Sequence, residues 1–239
     1  MSHFTPWLGD QLQLLVSAKT KEELYSGLTK AASLLGFDYF AYGMRLSFPV
    51  AAPRIELFNN YPEEWQARYV ASNYIAVDPT VRHGMQSTLP IIWEEPLFAQ
   101  SRDLWEDANA AGLSVGWAQS AYTRPGVAGL LTLARSHDVL DQSELSQKTP
   151  LLVWFNQIAQ LGIQQFLLPQ LIEQRQIQLT DRESEVMRWT ADGKTSFEIS
   201  VILGITERTV NFHLNNIQNK FGVKNKVAAA VQAVFQGCI

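Results

Sequence analysis

The chain has 239 residues, 46% of them apolar, and a formal net charge of −4. That length is comfortable for two domains, and the composition is that of a globular protein without repeats or low-complexity tracts. One cysteine, Cys238, rules out a disulfide framework within the chain and makes a reducing cytoplasm the expected compartment.

No basic-then-apolar leader is read in MSHFTPWLGDQLQLL, and no apolar run approaches the ~18 residues that span a bilayer, so no membrane partner is expected. Charge is uneven along the chain. Residues 171–239 hold eight Lys and Arg against seven Asp and Glu; the rest holds eleven against sixteen. A mildly basic back behind an acidic front suits a nucleic-acid module joined to something else. The imbalance is too small to carry that reading alone.

Leu24, Leu28, Ala31 and Leu35 recur at helical spacing and stop at Gly36. The aromatic stretch FDYFAYGMRL follows as a strand, with a second strand over 54–60. A Pro-initiated helix is expected at 62–72, and another begins at Asp78-Pro79. Residues 97–111 read as one helix ending at Gly112. Strands near 113–121 and 127–135 turn at Arg124-Pro125-Gly126. A long amphipathic helix spans 141–166, with Leu145, Leu152, Phe155, Ala159 and Ile163 on one side and Pro150 as a possible break. The pattern stops around Pro169, and LIEQRQIQ reads as linker. The expected fold class is α+β. An α/β/α sandwich around an antiparallel sheet fills residues 1–168, a linker 169–176, and an all-α domain of four helices 177–239.

The last segment carries the sharpest signals. Thr180 with Glu183, and Thr195 with Glu198, form capping boxes; Gly193 and Gly204 stop the helices they open, and Thr206 caps a third. Two short helices joined through Gly-Ile-Thr have helix-turn-helix spacing, which places the second in the major groove of DNA. On that helix Val210, Leu214, Ile217 and Phe221 form one apolar stripe. The other face carries Arg208, Asn211, Asn215, Gln218 and Asn219, whose amides and guanidinium suit adenine and guanine edges. Lys220, Lys224 and Lys226 lie where phosphates would run, and Lys194 with Thr195 could hold another. A helical bundle with a solvated face is the competing reading, but Glu and Lys rather than Asn would be expected there.

This tail resembles the LuxR-type helix-turn-helix in Glu183, Gly193, Lys194-Thr195, Ile199, Thr209-Val210 and the run VNFHLNNIQNKF. In that family the positions of Asn211 and Asn215 reach bases. The front shows no receiver-domain arrangement of acidic residues and a late Lys. Its stretches NYPEEWQARYVASNYIAVDPTV, LPIIW, AGLSVG and GLLTLAR resemble the autoinducer-binding domain of quorum-sensing LuxR-type regulators, among them receptors for medium or long acyl-homoserine lactones. The resemblance implies a ligand-responsive transcription regulator that binds DNA as a homodimer, with RNA polymerase as a candidate further partner. It implies an effector ligand and no other cofactor.

Residue by residue, the resemblance implies that Trp93 donates to the lactone carbonyl, Asp78 accepts from the amide N–H and Tyr61 donates to the acyl carbonyl. Trp65 would pack on the lactone, Thr132 would add a hydroxyl, and Tyr69 and Val81 would line the pocket. Each has a plainer alternative. Asp78 before Pro79 is an ideal helix cap, Thr132 is an ordinary strand residue, and single aromatic rings are usually core. Ala41 and Gly43 would admit an acyl chain, unless Tyr39, Phe40 and Tyr42 close it off; the sequence leaves the facing of those rings open. An enzyme is not expected. There is no G-x-S-x-G, and His3, His83, His137 and His213 are scattered, so neither a catalytic nor a metal site is assigned.

Overall fold

The computed structural model describes residues 14–50, 52–171 and 177–239. They divide into two compact units: the first holds most of the sheet and its helices, the second the helices after residue 176 together with the segments Leu46–Arg54 and Thr123–Val127.

The first unit opens with helix α1 (Lys21–Leu34), capped by the Thr20 hydroxyl. Strands β1 (Tyr39–Leu46) and β2 (Arg54–Asn59) form a hairpin. Helix α2 (Glu63–Ala71), a 3-10 turn (Tyr74–Ala76) and helix α3 (Pro79–Gly84) follow. Then come β3 (Ile91–Ile92), a second 3-10 turn (Glu95–Phe98) and α4 (Arg102–Ala110). Strands β4 (Val115–Arg124) and β5 (Val127–Arg135) lead into the long helix α5 (Gln142–Leu171).

The five strands form one antiparallel sheet in the order β2-β1-β5-β4-β3. At its edge Ile91 lies opposite Ala118 and Ile92 opposite Trp117. Helices α1 and α5 cover one face. There Tyr25 of α1 meets Phe40 edge-on at 5.7 Å, and Gln164 of α5 donates to the Tyr42 hydroxyl at 3.2 Å. The other face carries an aromatic layer built from α2, both 3-10 turns and α4, in which Trp65, Tyr74, Phe98 and Leu104 are buried.

Two expectations change. Residues 97–111 are not one helix: the 3-10 turn ends at Phe98 and α4 begins at Arg102, because Pro96 starts a separate turn. Helix α5 runs through Pro150 and on past Pro169 to Leu171. A proline removes one N–H and crowds one carbonyl; here the Thr149 hydroxyl donates to the Leu145 carbonyl at 2.6 Å just before Pro150, within a helix packed along the sheet.

Beyond residue 176 the regular structure is all helix: α6 (Asp181–Ala191), α7 (Ser196–Leu203), α8 (Glu207–Phe221) and α9 (Lys226–Phe235). Both capping boxes form, and Gly204 ends α7 at φ 64°. Val186, Met187, Ile199, Val210, Leu214, Ile217, Phe221, Ala229 and Ala233 make its core.

Candidate ligand pocket and DNA-facing helix

Between the sheet and the aromatic layer of the first unit lies a cavity of about 280 Å³. Ala41, Gly43, Tyr61, Trp65, Tyr69, Asp78, Val81, Trp93 and Thr132 all line it. Residues from four elements and three of their connections therefore meet at one place, although they span more than ninety positions of sequence.

One end of the cavity is polar. Asp78 precedes α3 and caps it: its Oδ1 accepts from the Thr80 amide at 2.8 Å and from the Thr80 hydroxyl at 2.7 Å. Its Oδ2 accepts from the Tyr69 hydroxyl at 2.9 Å. Capping thus occupies one oxygen and leaves the second turned to the pocket residues. Burial pushes the Asp78 carboxyl above the usual carboxylate range, and the donors of Thr80 and Tyr69 oppose that rise only in part. Burial, with Asp78 nearby, also raises the Tyr61 and Tyr69 hydroxyls, so both remain donors at ordinary pH.

Trp93 supplies the second polar feature. Its backbone N–H donates to Gly116 at 2.8 Å, which continues the β3–β4 pairing. Its ring lies flat against Gly116, where a Cβ would collide with the indole. Phe98 meets the same ring edge-on at 5.9 Å. The indole Nε1 is buried and has no hydrogen-bond partner among the described residues. Buried donors are almost always paired, so an orphan on a residue that lines a cavity is a candidate partner for a ligand acceptor.

The other end is apolar. Burial alternates along β1, with Phe40, Tyr42 and Met44 fully buried. Phe40 and Tyr42 pack toward α1 and α5, and the alternating set turns Ala41 and Gly43 to the cavity. This answers the question left open above: those two rings do not close the channel, because a strand sends successive side chains to opposite faces. Tyr39 shares the cavity face but lies at the polar end, 6.0 Å from the Tyr61 ring. Thr132 sits on the cavity face of β5 beside Leu130, while Leu131 and Leu133 are buried on the reverse.

In the second unit, α8 buries Val210, Leu214, Ile217 and Phe221 and exposes Arg208, Asn211, Asn215 and Asn219, with Thr209 and Gln218 half-buried. Glu207, Arg208, Asn211, Phe212 and Asn215 border a shallow open depression. The Ser196 hydroxyl donates to Asn211 Oδ1 at 2.8 Å, so the start of α7 orients that amide.

The comparisons with known proteins agree with this layout. Residues 20–162 match the autoinducer binding domain family, and residues 177–233 match the family of bacterial regulatory proteins of the luxR type. The chain belongs to the LuxR family. It is 43% identical to the transcriptional activator protein AnoR of Acinetobacter nosocomialis, over 98% of this chain and 99% of that one. The crystal structure of Escherichia coli SdiA superposes with a TM-score of 0.83 at 31% identity, covering 99% of each chain. SdiA in complex with octanoyl-rac-glycerol gives a TM-score of 0.80, covering 99% of this chain and 96% of that one. This LuxR-family chain is thus an autoinducer-binding, helix-turn-helix transcription regulator of the quorum-sensing type, and not an enzyme. Among its described residues no helix is long and apolar enough to cross a membrane.

Two of the residues assigned to DNA have partners within their own unit. Lys220 Nζ lies 2.6 Å from Glu183 Oε2 and 3.0 Å from the Gln178 carbonyl. Glu183 is only 5% exposed and needs that counter-charge. Burial alone would raise its carboxyl; Lys220 and the Thr180 amide outweigh burial and leave it below the ordinary value. Lys220 is therefore committed to holding α8 against α6. At α7, the Thr195 amide and hydroxyl both donate to Glu198 Oε2 at 2.8 Å, so a phosphate would have to displace a carboxylate. Lys194 and Arg208 remain the better phosphate candidates. Sequence reasoning also missed Gly116, which lets the Trp93 ring lie flat, and Ser120 and Leu130, which line the cavity. Close approach leaves no periodic signal that could have revealed them.

Proposed function

We propose that this regulator binds an N-acyl-homoserine lactone and, as a homodimer, a palindromic DNA site with half-sites about 10 bp apart. The observation that carries the ligand reading is the buried, unpaired indole N–H of Trp93 in the same cavity as the Asp78 carboxylate. An acyl-homoserine lactone has one amide donor and several carbonyl acceptors. Asp78 takes the amide, Trp93 the lactone carbonyl, Tyr61 the acyl carbonyl, and Thr132 supports the amide region. Trp65 and Tyr69 wall the ring, and Val81, Ala41 and Gly43 the chain. A cavity of about 280 Å³ favours a medium chain.

Residues 1–168 form the sensing and dimerising part, 169–176 the linker and 177–239 the DNA-binding domain, with Arg208, Thr209, Asn211, Asn215 and Gln218 facing the duplex and Lys194 a phosphate. The protein works in the cytoplasm, and RNA polymerase is the partner an activator of this kind would engage.

Mass spectrometry of ligand co-purified from cells fed a lactone mixture tests the reading. A lactone should be retained at about one per chain, and Trp93→Phe should retain roughly tenfold less, because one charge-free hydrogen bond in a dry pocket is lost. A second reading is a monoacylglycerol, since SdiA has been solved with octanoyl-rac-glycerol and a glycerol hydroxyl could replace the amide as the donor to Asp78. Including that glycerol ester in the feed decides between them: recovery of the ester alone overturns the lactone reading.

A further inference from the structure

We propose that the cavity is a channel open at its apolar end, so that the protein accepts acyl-homoserine lactones carrying bulky groups on the terminal carbon of the chain. This rests on the lactone reading above.

The register of the β1–β2 hairpin gives the cavity a direction. Asn60 N–H donates to the Phe40 carbonyl at 3.2 Å. That pairing sets Gly43 against Leu57, confirmed by the 3.5 Å between a Cβ built on Gly43 and Leu57 Cδ2, and it carries Arg45 toward Ile55. The aromatic, hydrogen-bonding end lies beside Tyr39 and Tyr61, at the start of β1. The chain end therefore runs along Ala41 and Gly43 toward Arg45 and Ile55, all of which line the same cavity.

Exposure differs sharply between the two ends. At the polar end Trp65 is 5% exposed and Trp93 Nε1 is fully buried. Elsewhere Val70, Met85, Leu57 and Ile55 line the cavity yet are 69%, 51%, 47% and 41% exposed. Single exposed apolar residues are ordinary. Leu57 and Ile55, on β2 opposite Gly43 and Arg45, stand at the apolar end, so the lining there reaches solvent, and Val70 of α2 and Met85 at the end of α3 are further exposed apolar lining. An occupant that fills the polar end and follows β1 arrives at this apolar rim with its terminal carbon. A rim of this kind holds a chain by contact without capping it. Chain length is then limited by the loss of contact beyond the rim and not by a wall.

The test uses the full-length protein and two probes: N-octanoyl-homoserine lactone, and the same lactone bearing a nitrobenzoxadiazole amine on its terminal carbon. The expected result is that both bind with affinities within about threefold, and that iodide quenches the bound dye. Binding of the plain lactone with a loss of more than about a hundredfold for the tagged one overturns the open channel, as does a bound dye shielded from iodide. If neither probe binds, the lactone reading itself fails and the channel with it. Ile55→Trp adds bulk at an exposed site opposite Arg45, so its melting temperature without ligand should match the parent. It should weaken the tagged lactone at least about fivefold more than the plain one; an equal effect on both counts against the proposal.

Discussion

A buried indole N–H with no acceptor costs about 1–3 kcal/mol, and the empty domain carries that cost at Trp93. Asp78 carries a second one, a carboxylate in a dry site whose titration burial has moved upward. The sign follows from that direction. A carboxyl with a raised folded-state pKa favours folding below its unfolded value, and that contribution is lost as pH rises through the raised value. At neutral pH the empty domain therefore holds an unfavourable anion, which a ligand N–H would relieve. Lactone affinity should fall as pH is lowered through the raised Asp78 value, where the carboxylate gains a proton. Asp78→Asn should bind roughly tenfold to a hundredfold more weakly at pH 8 and show a flatter profile, as titration calorimetry across a pH series can read. An unchanged profile would separate Asp78 from the ligand and leave it a helix cap. Gly116 tests Trp93 from behind: Gly116→Ala forces its Cβ into the indole and should cost about 1–3 kcal/mol in thermal unfolding together with most of the ligand retention. The pocket residues were nameable in the sequence only through family resemblance. A lone Trp or Asp has no local pattern that separates ligand from core, whereas Gly116 depends on a neighbour more than twenty positions away.

At the scale of elements, local rules read well and packing rules did not. Both capping boxes and the apolar stripe of α8 were legible because each is written within one or two turns. The persistence of α5 through Pro150 was not, because the sheet beneath it supplies the stability. Nor was its second face, where Asn156, Gln160 and Gln164 are buried at four-residue spacing against β4 and β1. The start of α5 is fastened by charge. Arg135, at the end of β5, grips Glu144 through two hydrogen bonds of 2.9 and 2.8 Å and also reaches the Gly36 carbonyl at 3.2 Å. Lys148 adds a third contact to Glu144 at 2.6 Å. The Arg135 guanidinium, with Lys148, holds the Glu144 carboxyl down to about 2. A depressed carboxyl stabilises above its unfolded value and loses that contribution as pH falls through its folded one. Glu144→Gln should therefore lower the stability of the sensing unit by about 3 kcal/mol at pH 7, with Arg135 left buried and unpaired. Calorimetry should find the gap narrowing between pH 4.5 and pH 2.

For the whole molecule, the division into a sensing unit and a DNA-facing unit makes two losses separable. Asn215→Ala, on the exposed face of α8, should weaken specific DNA by about 1–3 kcal/mol in a fluorescence anisotropy titration while ligand retention is unchanged. A loss of ligand instead would reassign that face. The C-terminal segment's surplus of one positive charge also limits what phosphate attraction can supply, and Lys220 pairs with Glu183 within the unit. Base contacts and pairing of two copies must then carry more of the affinity, so binding should depend on salt less steeply than for a strongly basic module.

The alternation along β1 has one more consequence. Phe40 and Tyr42 answer to the packing beneath the sheet, while Ala41, Gly43 and Arg45 answer to whatever occupies the space above it. One ribbon thus holds two independent sets of constraints, interleaved residue by residue. Substitution at the odd positions can therefore reshape the cavity while the even positions keep the sheet packed.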